Sequence, residues 1–412
     1  MTQTNDIKVY GYRWVILAIY FLITIIIEIQ WLTFASIASE AQSFYGVSAL
    51  HIDFFSIIYM VVFIIVSLPA SYIIDTYGLK TGLLIGAVMT GLFGLMKSFF
   101  AESYILVAIA QTGLATAQPF ILNAVTKIGA NWFPQNERAS IAGLGSLAQY
   151  IAIIIALAIT PLLIKSGEDG KYVFNEMLKI YGILSAIGGV MVILLMRDKP
   201  PTPPSKVEHT ERIKVFQGIR HIFHTKDMLL LLLLFFIGLG IFNAVSTCID
   251  QICHTLTMEQ TGLVGGSMLV GGVLGALILP PFSDKYKRRK PFLVLCMALM
   301  IPGLAGLTFT QGYIPLLISA FAFGFFIMSA GPIGFQYGAE KSYPAPESTT
   351  QGIILLVGQI SGILFVLGFN TFGARGSMIT FLLLIIVNVI LSIRLKESFN
   401  IMKAEKLEGN SD

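Results

Sequence analysis

An acid and an aromatic residue close together in an apolar stretch are the first chemically informative feature of the sequence. Glu28 lies in a long apolar run that begins at Trp14, and no Lys or Arg is expected at a similar depth. An ionised carboxylate in hydrocarbon is costly, so such a residue is a candidate functional group. It could carry a proton or balance the charge of a cationic ligand. The structural alternative is a protonated carboxyl bonded to a neighbouring helix.

Trp31 follows Glu28 by three residues, which places both side chains on one face of a helix. An aromatic ring beside a carboxylate can receive an organic cation. Tryptophan is also common at membrane surfaces, so Trp31 could instead serve only as an interfacial anchor. Its depth in the apolar run favours the binding interpretation.

Neutral polar residues inside apolar runs form a second group of candidates. Amide side chains donate and accept hydrogen bonds, and they suit a polar, hydroxyl-bearing or zwitterionic solute. Asn243 and Thr247 are spaced to share one helix face, where they could line a cavity or bond to another helix. The predicted substrate-binding residues are Glu28, Trp31, Gln118, Gln149, Asn243, Thr247 and Gln359.

Charged residues gather where apolar runs end. Ion pairs at such positions could form a gate that breaks when the protein changes conformation. The alternative is that these charges only orient the chain in the membrane. The predicted gate residues are Asp75, Lys80, Arg138, Asp284, Arg288 and Glu340.

Membrane-spanning helices are the elements that must position these residues. Of the 412 residues, 55% are hydrophobic and 12% are charged, whereas soluble proteins carry about 25% charged residues. The composition excludes a soluble enzyme, a nucleic-acid-binding protein and any large domain outside the membrane. We predict no catalytic residue, no cofactor and no metal site, since no paired carboxylates or phosphate-binding loop stand out.

The predicted fold class is an all-α membrane protein with 12 transmembrane helices in two pseudo-symmetric six-helix halves. A bilayer-spanning helix needs about 20 apolar residues. Runs of this kind occupy 13–36, 53–75, 81–100, 103–130, 139–164, 176–196, 228–252, 260–282, 291–310, 313–338, 350–372 and 376–395.

An internal repeat supports the division into halves. Asp75 and Asp284 end corresponding spans and lie 209 residues apart, about half the chain. Two similar halves are what a transporter needs to expose one central site to each side of a membrane in turn. In the connection between them, the basic segment 212–220 could form a helix on the membrane surface. The predicted segments are an N-terminal half 1–196, a cytoplasmic linker 197–227, a C-terminal half 228–395 and a cytoplasmic tail 396–412.

The placement of lysine and arginine predicts the orientation. With both termini in the cytoplasm, 22 of the 27 basic residues fall on the inside, in agreement with the positive-inside rule. We therefore predict an integral multi-pass protein of a plasma membrane, such as a bacterial inner membrane. The basic residues placed outside are Lys97, Lys165, Lys171, Lys179 and Arg375.

Several short motifs carry a family resemblance. Asp75-Thr-Tyr-Gly78-Leu-Lys80 resembles the motif between the second and third helices of the major facilitator superfamily, and the segment from Asp284 to Arg289 is a degenerate second copy. Other stretches resemble the feline leukaemia virus subgroup C receptor family over most of the chain. They are Gln30-Trp31, Phe44 to Ser48, Ile52-Asp53, Ile58 to Met60, Leu68 to Ala70, Trp132-Phe133, Gly334-Phe335 and Glu340 to Pro344.

The resemblance implies a substrate class and a set of contacts. Members of that family are linked to choline and ethanolamine transport, and haem export has also been proposed for them. The resemblance implies that Trp31 matches a substrate-contacting tryptophan and that Gln118 and Gln359 match glutamines lining the cavity. Asn243 stands where the family has a tyrosine, so a relative with another substrate is an open alternative.

Together these features predict a secondary transporter, either a uniporter or proton-coupled, that moves a small polar metabolite by alternating access. An organic cation such as choline or ethanolamine is the leading substrate. One alternative is proton-coupled uptake of an amino acid or another small metabolite, with Glu28 as the proton carrier. Another is a membrane receptor that does not transport. The expected partners are the small-molecule substrate, the lipid bilayer and, for a coupled mechanism, protons.

Single cysteines in a background without the native cysteines test the orientation. Because the basic linker is predicted inside, Ser205→Cys should react with a membrane-impermeant maleimide only from the cytoplasmic side. Ser43→Cys should react only from outside. The opposite labelling pattern would show that the predicted orientation is reversed.

Overall fold

The computed structural model describes most of the chain, in ranges separated by short gaps. The described residues are 9–134, 138–166, 172–202, 204, 215–286, 288–342, 345 and 347–398. Within these ranges some side chains are left out of the description, including those of Asp75, Arg138 and Asp284. The chain divides into two compact units, Met1–Thr210 and Glu211–Asp412, which we call unit one and unit two.

Helices dominate both units, because a helix satisfies its backbone hydrogen bonds without water. Unit one contains α1 Arg13–Leu32, α2 Ala38–Tyr45, α3 Ala49–Tyr77, α4 Leu79–Phe99, α5 Tyr104–Leu122, α6 Ala124–Trp132, α7 Arg138–Ile154 and α8 Asn175–Leu195. Unit two contains α9 Val215–His224, α10 Lys226–Thr247, α11 Ile249–Ile252, α12 Met258–Tyr286, α13 Lys290–Phe309, α14 Tyr313–Ser342 and α15 Glu347–Ile393. Two short antiparallel strands, β1 Lys165–Ser166 and β2 Tyr172–Val173, lie between α7 and α8.

The number of membrane spans agrees with the sequence. Within the described residues, ten helical runs are long and apolar enough to cross a membrane. One of them, Thr350–Ile393, contains two spans, because its helix breaks at Gly373, where φ is +73°. A shorter apolar helix, Leu147–Leu163, supplies one more span. The predicted all-α fold with twelve spans is confirmed.

The first span is broken where the apolar pattern predicts a continuous helix to residue 36. In the structure α1 ends at Leu32, and a 3-10 turn at Ala35–Ile37 leads into α2. At the break, the Thr33 hydroxyl donates a hydrogen bond to the carbonyl of Ile29 at 2.8 Å. Threonine side chains that bond back to the preceding turn often bend helices.

Helix α9 lies within the predicted linker 197–227, and its residues belong to unit two. It packs against α10, α14 and α15 of unit two. Its Ile222 side chain is fully buried. The segment predicted as a possible surface helix, 212–220, therefore overlaps a helix with protein contacts, and residues 205–214 lie outside the described residues.

Glycine residues bring α12 and α14 into close contact in unit two. A Cβ atom on Gly275 would overlap the carbonyl oxygen of Phe325, and a Cβ on Gly324 would overlap that of Met268. Small residues permit this kind of approach between membrane helices, where van der Waals packing drives association.

The three cysteines, Cys248, Cys253 and Cys296, are free and buried. Burial raises the pKa of the Cys253 thiol to about 12, and the nearby carboxylate of Asp250 adds to the effect. Because the thiolate is the reactive form, Cys253 is a poor nucleophile at neutral pH.

Gly78 joins α3 to α4 and allows a test of the fold. Its φ of +102° suits glycine, and other residues rarely adopt it. A Cβ atom there would lie 2.7 Å from Oδ1 of Asp198. Gly78→Ala should therefore lower stability by about 1–3 kcal/mol, measured as a lower melting temperature of the purified protein. Gly352→Ala is the matched control, because the space around that helical glycine is open. Equal melting temperatures for the two variants would contradict this account.

Candidate functional site

The Glu28 carboxylate is buried on α1, with 2% of the residue exposed. Nε2 of Gln118, on α5, donates a hydrogen bond to Oε1 of Glu28 at 2.7 Å. Among the residues described, no lysine, arginine or histidine pairs with this carboxylate. Two of the predicted binding residues are therefore in direct contact, and the acid has a neutral partner.

Two buried tyrosines complete what we call the Glu28 cluster, consisting of Glu28, Gln118, Tyr20 and Tyr59. Both phenol groups lie within electrostatic range of the Glu28 carboxylate. The Tyr59 hydroxyl has no hydrogen-bond partner among the described residues, whereas the Tyr20 hydroxyl lies beside the hydroxyl of Thr24. The sequence analysis did not select them, because a tyrosine in an apolar run is usually a packing residue; an unpartnered buried hydroxyl is visible only in three dimensions.

Trp31 is half-buried and is fixed against α3. Its indole Nε1 donates to the backbone carbonyl of Ser56 at 3.3 Å, and the Ser56 hydroxyl donates to the backbone carbonyl of Trp31 at 3.3 Å. These two reciprocal hydrogen bonds hold Trp31 against Ser56.

Gln149, in α7, is also half-buried but makes no hydrogen bond within the described residues.

The predicted binding residues of unit two lie on α10 and α15. Asn243 is buried, and its Nδ2 donates to the carbonyl of Gly358 at 3.3 Å. Gly358 precedes the half-buried Gln359, so the two predicted amide side chains belong to neighbouring helices. Thr247 is buried, and its hydroxyl has no partner in the described part of the chain.

The charged end of unit two is organised around Glu340. Its carboxylate pairs with Nε of Arg289 at 3.2 Å and accepts hydrogen bonds from Gln336, at 3.1 Å, and from the Ser398 hydroxyl. The side chain of Arg288, the arginine selected from the sequence, is exposed. The choice between adjacent arginines depends on the loop conformation, which periodicity does not reveal. The side chain of Asp284 lies outside the described residues.

The corresponding end of unit one is organised around Asp198, which the sequence analysis did not select. Its Oδ1 accepts a hydrogen bond from the backbone N of Lys80 at 3.2 Å, at the start of α4. The Lys80 side chain itself is exposed. The side chains of Asp75 and Arg138 lie outside the described residues. The sequence does carry a signal for Asp198, because this acid comes directly after the sixth apolar run.

No metal site emerges from the described residues, which contain no group of three or more His, Cys, Asp or Glu side chains suited to an ion. The cluster and the charged ends define a multi-pass, all-helical membrane protein with polar groups inside its helical units. Such an arrangement is typical of membrane transport proteins.

Comparison with known proteins identifies the family. The sequence profile of the Major Facilitator Superfamily matches residues 16–366, so the chain belongs to that superfamily and is a secondary transporter. The predicted resemblance is confirmed. An uncharacterized MFS-type transporter of Caenorhabditis elegans is 28% identical over 421 residues, covering 97% of this chain and 72% of that protein. The choline/ethanolamine transporter FLVCR2 of Homo sapiens is 26% identical, covering 97% of this chain and 80% of that protein.

Solved structures show the same fold. A bacterial homolog of the human lysosomal transporter Spinster matches with a TM-score of 0.73 and 13% identity, over 96% of this chain and 99% of that chain. A D-xylose-proton symporter matches with a TM-score of 0.72 and 15% identity, over 93% of this chain and 98% of that chain.

The bond between Glu28 and Gln118 predicts an effect on stability. Gln118→Leu removes the donor and leaves a buried acid without a partner, which costs about 1–3 kcal/mol. The melting temperature of the purified protein should fall by several degrees. Gln149→Leu is the matched control, because Gln149 makes no hydrogen bond with the residues that the structure describes. If the two variants have the same melting temperature, the bond between Glu28 and Gln118 does not stabilise unit one.

Proposed function

We propose that this transporter carries a small organic cation of the amino-alcohol type, with choline and ethanolamine as the leading substrates. The observation that supports the proposal most directly is the buried Glu28 carboxylate with a neutral amide as its partner. A negative charge inside a membrane protein needs a compensating positive charge. A cationic substrate supplies that charge when it binds and removes it when it leaves.

The groups around Glu28 match the chemistry of such a substrate. Trp31 presents an aromatic ring whose orientation is fixed by its bond to Ser56, and a cation over an aromatic ring is attracted by the ring's electrons. Because Gln118 uses its Nε2 on Glu28, its carbonyl oxygen is free within the described residues to accept a bond from a substrate hydroxyl or ammonium. The names of the relatives, choline/ethanolamine transporters, agree with this combination.

We also propose that charged side chains bonded at helix ends act as gate elements. Glu340 with Arg289 in unit two, and Asp198 with the start of α4 in unit one, are held by interactions that a conformational change can break. The orientation with both termini in the cytoplasm stays a prediction, as does the type of membrane.

Removing the aromatic ring tests the substrate. A cation–aromatic contact away from water is worth about 2 kcal/mol, so Trp31→Ala should weaken binding of radiolabelled choline or ethanolamine by more than about tenfold. Trp31→Phe should restore part of the affinity. Trp14→Ala is the control on the same helix, since Trp14 is 52% exposed. Unchanged affinity in Trp31→Ala would rule out the ring as a contact.

Removing the charge separates the two transport hypotheses. For a cationic substrate, Glu28→Gln should weaken binding to purified protein, whereas Glu259→Gln, an exposed acid in unit two, should not. If Glu28 instead carries a proton for an amino acid, binding should survive while proton-driven accumulation in proteoliposomes disappears. Normal binding and normal accumulation in Glu28→Gln would contradict both hypotheses.

A further inference from the structure

Lys97 is a buried cation that the established family function does not explain. The positive-inside count places it on the outside, and in the structure it lies in the last turn of α4 with 1% of the residue exposed. Its Nζ donates to Oε1 of Gln30 at 2.8 Å and to the hydroxyl of Thr33 at 3.4 Å, and it lies 4.9 Å from the centre of the Phe34 ring. In the part of the chain that is described, no carboxylate pairs with it.

The end of α1 lies directly beside the Lys97 amine. α1 stops at Leu32, and Lys97 contacts Thr33 and Phe34 directly beyond that end. The carboxyl-terminal end of a helix carries a partial negative charge from its unpaired carbonyl groups, and it favours a nearby cation. A buried ammonium among neutral groups is costly unless its hydrogen bonds are made. Lys97 is therefore held firmly in this position.

Gln30 connects Lys97 to the rest of unit one. Its side chain accepts the bond from Lys97 and donates to the hydroxyl of Ser185 at 3.0 Å and to the carbonyl of Tyr181 at 3.4 Å, both on α8. Its backbone carbonyl accepts a bond from Nε2 of Gln111, on α5, at 2.8 Å. At residue 30, α1 is thus tied to three other helices.

This anchor lies beside the proposed binding residues without touching them. Glu28 and Gln30 are two residues apart, so they point to nearly opposite sides of α1. Trp31 follows Gln30 directly and faces α3. A rotation of α1 about its axis would turn Glu28 and Trp31 together, and the bonds of Gln30 oppose that rotation.

We propose that Lys97 is a positioning residue for transport: through Gln30 it fixes the rotation of α1 and so the directions of Glu28 and Trp31. The part that concerns substrate affinity rests on the proposed function. The part that concerns the position of Trp31 does not depend on the identity of the substrate.

Fluorescence of Trp31 measures its position directly. The chain has three tryptophans, so Trp14→Phe and Trp132→Phe leave Trp31 as the single fluorophore. In this background, Lys97→Met removes the donor to Gln30. The emission of Trp31 should shift to longer wavelength, and acrylamide should quench it more strongly, because the ring loses its fixed packing. Gln30→Leu should give the same changes.

A double-mutant cycle distinguishes positioning through Gln30 from independent effects. Residues that act through one chain of bonds are not additive, so Lys97→Met with Gln30→Leu should show no larger shift than either single variant. For choline or ethanolamine, each variant should raise Kd by about tenfold, and the double variant should raise it no further. Additive changes would overturn the proposal, as would a Trp31 emission unchanged by Lys97→Met.

Two controls separate positioning from a general loss of stability. Lys179→Met removes an exposed lysine from α8 of the same unit and should leave Trp31 unchanged. Gly78→Ala should lower the melting temperature without a shift in Trp31 emission. If either control moves the emission as Lys97→Met does, the spectroscopic signal is not specific and the proposal fails.

A second substitution keeps the test decisive if Lys97→Met does not fold. Gln30→Glu retains the oxygen that Lys97 bonds but loses the N–H that donates to Ser185 and Tyr181, so Trp31 emission should shift less than in Gln30→Leu. Equal shifts in both variants would overturn the proposal. If the native protein binds neither choline nor ethanolamine, the proposed function fails, and the fluorescence result still decides the role of Lys97.

Discussion

The absence of water in the bilayer core is the constraint on which the rest of this structure depends. Hydrocarbon offers no hydrogen bonds, so each polar group inside the protein must find a partner within the protein or in its ligand. Helices satisfy the backbone, and the apolar side chains face outward or pack together. The few polar side chains that are left inside therefore have specific partners or specific tasks.

The two polar faces of α1 show both outcomes. The side chains of Gln30 and Thr33 are fully hydrogen-bonded, and Gln30 ties α1 to Lys97, Gln111 and α8. Within the described residues, Oε1 of Gln111 is the atom of this network that has no partner. On another face, Glu28 has one neutral partner, and the neighbouring Tyr59 hydroxyl has none within the described residues. A satisfied network gives rigidity, while incompletely satisfied polar groups are suited to bind a ligand. One helix thus carries its own support and the proposed binding residues.

Charges at the helix ends follow a different rule, because water is accessible there. Glu340 and Asp198 bond to groups on neighbouring elements, including an arginine, a backbone N–H and the segment after the last helix. The side chains of Arg289 and Glu340 are 14% and 20% exposed, so water reaches the pair without surrounding it. Such interactions can break and form again, which fits elements that must separate and rejoin during a transport cycle.

The number of spans could be predicted from the sequence, and so could the choice of Glu28 as a candidate, because length, hydropathy and a lone acid in an apolar run need no three-dimensional information. It also indicated Gln118, which the structure places on Glu28. The pairing of Glu340 with Arg289 rather than Arg288, and the bond of Asp198 to the start of α4, are visible only in the folded chain. Lys97 shows most clearly what the sequence does not reveal. A lysine at the end of an apolar run gives the same sequence pattern whether its side chain faces water or the end of another helix. The helix break at Thr33 and the packing of α4 against α8 bury it, and these depend on contacts between residues far apart in the chain.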